Sequence, residues 1–158
     1  MPHSATAAQL GRELTRSRPE KNASAWADVL ADVPLFAGLN RRHLRKVAGI
    51  ARIVRFDDGS AIVRAGQDGD SFFVLVEGSV RVSRRGLPSL SLEEGSFFGE
   101  MALLDGGPRT ATVTAKGPIA CLVIGRPRFL KLLRSESAIA VAMVEELARR
   151  LRATQAIA

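Results

Sequence analysis

Cysteine, histidine and long apolar runs are all scarce in this chain, and each scarcity removes a class of function. One cysteine, Cys121, among 158 residues excludes an intrachain disulfide. It sits in the apolar run Ile119-Ala120-Cys121-Leu122-Val123-Ile124, where a thiol reads as a buried, unreactive core group. A reducing cytoplasm suits such a chain. The two histidines, His3 and His43, lie near neither each other nor Cys121. No His-rich metal centre, Ser-His-Asp triad or Cys-His pair can be built from them. The first two dozen residues hold no apolar stretch long enough for a signal peptide, and no window approaches the length of a membrane span. The expectation is a soluble, cytoplasmic protein that is not an enzyme and carries neither metal nor cofactor.

What is present is globular. Hydrophobic residues make up 46% and charged residues 25%, enough apolar content for one compact core. The net charge of +7 raises the question of nucleic acid, and its distribution answers it. Arg12, Arg16, Arg18 and Lys21 outnumber the acids of residues 1–24, and eight basic groups outnumber three glutamates in residues 116–158. The excess is terminal, and basic ends of this kind read as solvated arms.

Residues 1–24 are polar and basic without a hydrophobic period and read as a flexible arm; a single domain occupies 25–158. Trp26, Val29, Leu30 and Val33 recur at helical spacing before Pro34, and Asn40 can cap a second helix carrying Leu44, Val47 and Ala48. From about residue 50 to 125 the period shortens. Apolar runs at 53–54, 62–63, 72–76 and 80–82 are separated by turn residues, Glu77-Gly78 among them, which implies a sandwich, barrel or roll. Residues 79–83 alternate, with Val80 and Val82 inward and Arg81 outward. Residues 99–104 form a short helical turn ended by Gly106-Gly107-Pro108, and a strand resumes at Arg109. Helices return over about 126–153: Pro127 suits a first helical position, and Ser135 can cap a last helix with the stripe Ile139, Met143, Leu147 and Leu151.

The segment that carries chemistry is Gly95-Ser96-Phe97-Phe98-Gly99-Glu100-Met101-Ala102-Leu103-Leu104-Asp105-Gly106-Gly107-Pro108-Arg109-Thr110-Ala111-Thr112-Val113. Strand parity from Arg109 places Arg109, Ala111 and Val113 on the apolar face and Thr110 on the other. An inward guanidinium is costly unless an anion meets it, and its fork suits phosphate or carboxylate. Gly99 permits close backbone approach, and the helix it opens presents free N–H groups. Glu100 is an acceptor for hydroxyls, such as those of a ribose. Phosphate site and hydroxyl acceptor together suggest a nucleotide. The alternative at this point is a buried ion pair between Arg109 and Glu100.

The run Phe98-Gly99-Glu100-Met101-Ala102-Leu103-Leu104, followed by Pro108-Arg109-Thr110-Ala111-Thr112-Val113, resembles the phosphate-binding cassette of cyclic-nucleotide-binding domains. Such domains occur in the catabolite activator protein, protein kinase A regulatory subunits and cyclic-nucleotide-regulated channels. Pro34-Leu35-Phe36 with Leu39, and Gly66 followed by Phe73-Val74-Leu75-Val76-Glu77-Gly78-Ser79-Val80, fit the same pattern. The resemblance implies a mainly β fold: an antiparallel β-roll of the jelly-roll, or double-stranded β-helix, type flanked by N-terminal and C-terminal α-helices. It also implies cAMP, or alternatively cGMP, as ligand. By position Arg109 takes the cyclic phosphate, Glu100 the ribose 2′-hydroxyl, and the backbones of Gly99 and Ala102 support both, with Met101 and Ala111 in the same cassette. Thr110 matches a position that contacts guanine in cGMP-responsive relatives, without deciding the base. Arg149, Arg150 and Arg152 fall where relatives with a C-terminal lid helix cover the base; the alternative is that they complement the helix C-terminus.

The expected function is that of a regulatory receptor signalling through its hinge and lid helices to an unidentified effector, with a homodimer as one arrangement. A ligand-free interaction module, or a fragment of a larger cyclic-nucleotide-regulated protein, is the alternative. A helix-turn-helix module would need more chain than follows Leu151, so sequence-specific DNA binding is not expected.

Overall fold

A computed structural model of the chain describes residues 22–155, so the expected arm lies outside the described residues as far as residue 21. Helix α1 (Ala23–Ala31) buries Trp26, Ala27, Val29 and Leu30, and a 3₁₀ turn, Pro34–Phe36, buries Leu35 and Phe36. Helix α2 (Arg41–Gly49) starts as its sequence indicates: the Asn40 side chain accepts a hydrogen bond from the His43 backbone N–H at 2.8 Å.

Six antiparallel strands follow: β1 (Arg52–Phe56), β2 (Ala61–Val63), β3 (Ser71–Ser83), β4 (Leu90–Leu92), β5 (Phe97–Phe98) and β6 (Thr112–Gly125). The path is β1-β6-β3-β4, with β2 also on β6 and β5 also on β3. Between β5 and β6 lies helix α3 (Glu100–Asp105), and α4 (Arg126–Ser135) and α5 (Ser137–Thr154) close the described chain. The architecture is an antiparallel β-roll flanked by helices.

The long strands show why their apolar runs do not alternate. Phe72, Val74 and Val76 of β3, with Ala120, Leu122 and Ile124 of β6, pack against the helices. Phe73 and Leu75, with Ile119, Cys121 and Val123, point into the roll. Both faces of the paired strands are covered over residues 72–76 and 119–124, so every position of these two runs is apolar.

Three sequence expectations shift. Glu77-Gly78 does not separate two strands: β3 runs through it, and the pairing with β6 changes register between Leu75 and Glu77 and again between Glu77 and Ser79. The irregularity reverses the parity of β3, and Val80, not an odd-numbered residue, enters the roll. Ser135 ends α4, its hydroxyl donating to the Leu132 carbonyl; α5 begins at Ser137 with no side-chain cap. The last helix buries Ile139 and Met143, with Leu147 partly covered, whereas Leu151 is 58% exposed.

Candidate functional site

A cleft of about 430 Å³ opens in the roll beside α3. All seven cassette residues singled out from the sequence line it: Gly99, Glu100, Met101, Ala102, Arg109, Thr110 and Ala111. Val63, Val82, Leu90 and Leu92 supply an apolar wall from β2, β3 and β4.

Arg109 does not begin β6 as strand parity required; that strand starts at Thr112, and residues 109–111 are irregular. Pro108 makes an isolated bridge to Asp68. The Arg109 N–H donates to the Gln67 carbonyl and its own carbonyl accepts from the Gly66 N–H, both at 2.8 Å. The stretch is thus fixed by the loop before β3, and parity holds only from Val113, which is buried together with Ala115. This irregular start lets Thr110 and Arg109 line one cleft.

The Arg109 side chain is held by neutral groups. Its Nη2 donates to the Ser71 carbonyl at 2.8 Å, and its guanidinium carbon lies 5.7 Å from the centre of the Phe73 ring. Phe73 itself stacks on Phe98 at 4.9 Å. Two glycines make room: a Cβ at Gly69 would stand 2.5 Å from Arg109 Nε and 2.6 Å from Ala102 Cβ, and one at Gly99 would overlap Nη1. Gly99 also has φ = 85° where it caps α3. Burial lowers the Arg109 pKa from its ordinary value and the Asp70 carboxylate opposes that shift, so the group remains a cation. Its Nη1 is buried without a hydrogen-bond partner among the described residues.

Arg109 and Glu100 do not pair with each other. Glu100 Oε1 instead faces Arg150 Nη1 of α5 at 3.5 Å, and Glu100 Oε2 is buried without a hydrogen-bond partner among the described residues. An arginine and a carboxylate, each with an orphaned polar atom, therefore flank the start of one short helix. That donor and acceptor set fits an anion joined to a hydroxyl-bearing group.

Residues 53–136 match the family model of the cyclic nucleotide-binding domain. The chain belongs to this family. It is 37% identical over 108 residues to a cAMP-dependent protein kinase regulatory subunit of Mucor circinelloides f. lusitanicus, covering 66% of this chain and 25% of that protein. The chain thus spans about a quarter of that relative. The N-terminal domain of a transcriptional regulator from Streptomyces coelicolor A3(2) superposes with a TM-score of 0.74 at 30% identity, covering 82% of this chain and 96% of that one. The regulatory domain of Toxoplasma gondii PKA, solved with cAMP, superposes with a TM-score of 0.61 at 29% identity, covering 82% and 51%.

In this cyclic nucleotide-binding domain the three C-terminal arginines part company, and none of them lines the cleft. Arg149 pairs with Glu146 and lies beside Gly38, and Arg152 is exposed. Arg150 alone turns toward the cassette, bridging Glu100 and Glu146. Arg126, at the start of α4, was not anticipated: its Nη2 donates to the Leu104 carbonyl in the last turn of α3 at 3.1 Å, tying the cassette to the following helix. Gly69, Ser71 and Phe73 were also missed as supports of Arg109. Among the described residues no group of three or more His, Cys, Asp or Glu could hold a metal, and no helix is long and apolar enough to cross a membrane.

Proposed function

We propose that this domain is a non-enzymatic receptor for a cyclic purine nucleotide, cAMP or cGMP, and that occupancy is reported through α4 and α5. The observation that carries the reading is Arg109: a cation in no direct ion pair among the described residues, fixed by the Ser71 carbonyl and by the Phe73 face, opening onto the cleft. A cyclic phosphate supplies the missing anion and meets the fork of donors. Glu100 accepts from the ribose 2′-hydroxyl through Oε2, the oxygen without a partner among the described residues. Gly99, Met101 and Ala102 bring backbone to the phosphate and sugar, and Ala111 leaves room beside them. The base lies along the apolar wall near Thr110, which reads guanine if its hydroxyl touches the base. Arg150, and not Arg149 or Arg152, is the member of the C-terminal cluster that acts on the ligand, through Glu100.

The route outward has two links. Arg126 grips the end of α3 from α4, and Arg150 holds Glu100 from α5. A ligand that repositions α3 changes both, and it shifts the helices only by its differential affinity for the two arrangements. The effector that reads the helices, in the cytoplasm, is a separate protein, another domain or a second copy of the chain.

Calorimetric titration of the full chain with cAMP and with cGMP tests the reading. Saturable one-to-one binding of either supports it. Absence of heat and of thermal stabilisation with both would leave a ligand-free interaction module as the function.

A further inference from the structure

The outer face of the β3–β4 hairpin carries positive charge that no neighbouring carboxylate balances. No aspartate or glutamate occurs between Glu77 and Glu93, nor between Asp105 and Glu136, and the pairing of β3 with β4 and with β6 lays these two stretches side by side. Val80 and Val113 are buried inside the roll, so alternation turns Arg81 and Ser83 of β3, and Thr114 and Lys116 of β6, to the outside. There they line a polar groove of about 490 Å³ whose other wall is the β1–β2 turn at Asp58 and Gly59. The carboxylate on that wall is already engaged: Asp58 Oδ1 accepts from the Gly117 N–H at 2.8 Å. Arg81 makes no hydrogen bond or ion pair among the described residues, and Lys116 Nζ donates to the neutral Ser91 hydroxyl at 2.9 Å. Two exposed cations and two hydroxyls over one groove form a donor set for a phosphate.

The tip of the same hairpin adds an apolar group. A four-residue turn from Arg84 to Leu87 is closed by the Leu87 N–H, which donates to the Arg84 carbonyl at 3.1 Å. Leu87 is 53% exposed, two residues after Arg85, which is exposed and unpaired among the described residues. A nucleic acid duplex would satisfy the cations and leave this leucine in water. A bilayer of anionic lipid offers phosphates to the groove and hydrocarbon to the tip, the combination of charge attraction and apolar insertion that holds proteins at a membrane surface.

We propose that the outer face of β3 and β4 is a docking surface for anionic phospholipid. A headgroup phosphate enters the groove between Arg81 and Lys116, Arg85 meets a neighbouring headgroup, and Leu87 enters the boundary with the acyl chains. The surface lies on the opposite side of these strands from Val82 and Leu92, which wall the nucleotide cleft, so the proposal stands independently of what the cleft holds.

Co-sedimentation of the full chain with vesicles tests the assignment, using phosphatidylcholine alone and phosphatidylcholine mixed with phosphatidic acid or phosphatidylserine. The wild type should bind both anionic mixtures, more weakly as salt rises, and leave phosphatidylcholine alone. Each cation near an anionic bilayer contributes about fivefold, so the double variant Arg81→Gln with Lys116→Gln should bind about twentyfold more weakly. Leu87→Ser should lose about fivefold, a part of what full burial of a leucine supplies. All three side chains are exposed, and the variants should keep the wild-type thermal midpoint. Failure of the wild type to bind anionic vesicles, or equal binding to phosphatidylcholine alone, overturns the proposal. So does undiminished binding by the double variant, which would give the contact to the basic ends of the chain, or by Leu87→Ser, which would leave nothing inserted. A DNA duplex of random sequence serves as the competing polyanion: DNA bound through Arg81 and Lys116 as tightly as the vesicles would assign the face to nucleic acid and overturn the lipid reading.

Discussion

Arg150 of α5 reaches back to Glu100 of α3, Nη1 to Oε1 at 3.5 Å, so the carboxylate proposed to hold the ribose also holds the last helix. Both side chains are partly exposed, 30% and 22%, and the pair on its own stabilises the fold by at most about 1 kcal/mol after screening. Its weight lies in coupling. Arg150→Gln should leave the thermal midpoint nearly unchanged but reduce the difference in hydrogen exchange over residues 137–154 between free and nucleotide-saturated protein. Identical ligand-dependent protection in the variant would remove Arg150 from the route.

Leu147 is partly covered on the side of α5 that faces the core, two turns beyond the buried Ile139. Leu147→Asp should therefore undock the end of the helix, raising exchange there while the strands stay protected. Loss of protection in β3 and β6 as well would make α5 part of the static core and end its role as a responsive element.

Glu100→Gln keeps one acceptor and removes the charge. The variant should bind cAMP more weakly than wild type and lose most of the preference for cAMP over 2′-deoxy-cAMP. Calorimetry with both ligands reads this directly. An equal loss for both sugars would take the ribose hydroxyl away from Glu100.

How the sequence announced this site is best seen residue by residue. Gly99, Glu100, Ala102 and Arg109 lie within eleven positions and are legible as a local string, because a short helix and the loop after it are specified locally. The paired apolar runs in β3 and β6 likewise announce strands, since a strand covered on both faces has no polar side. Gly69, Ser71 and Phe73 are different. They lie some forty residues before Arg109 and reach it through the bridge of Asp68 to Pro108, the backbone hydrogen bonds of residues 66, 67 and 69 to residues 107 and 109 and the pairing of β3 with β6. The two-residue β5 and three-residue β4 are too short to show a period. Strand parity failed at Arg109 for a related reason: Pro108 and the hydrogen bonds to residues 66 and 67 impose a conformation that alternation cannot describe.

Gly69 offers a test of the missed part of the site. A Cβ there would stand 2.5 Å from Arg109 Nε and 2.6 Å from Ala102 Cβ, well inside contact distance. Gly69→Ala should displace the guanidinium and weaken nucleotide binding by about tenfold or more, on the scale of a disturbed charged contact. The protein should remain folded by circular dichroism, because Gly69 lies in a loop. Wild-type affinity in this variant would show that Arg109 does not need the space.

Cys121 lies inside the roll, and burial pushes its thiol up to about 12. Since the thiolate is the reactive form, the native protein should resist alkylation at pH 8 and react only when unfolded by denaturant. Rapid labelling of the native state would place the thiol outside the core.

The central claim, that Arg109 holds a cyclic phosphate, is tested most directly by paired calorimetric titration of the wild type and Arg109→Ala with cAMP and cGMP. Circular dichroism would first establish that the variant is folded. Removing one partner of a partly buried charged contact costs roughly 2–5 kcal/mol, so the Kd should rise about 30-fold or more for both nucleotides. An unchanged Kd in the folded variant would contradict the account.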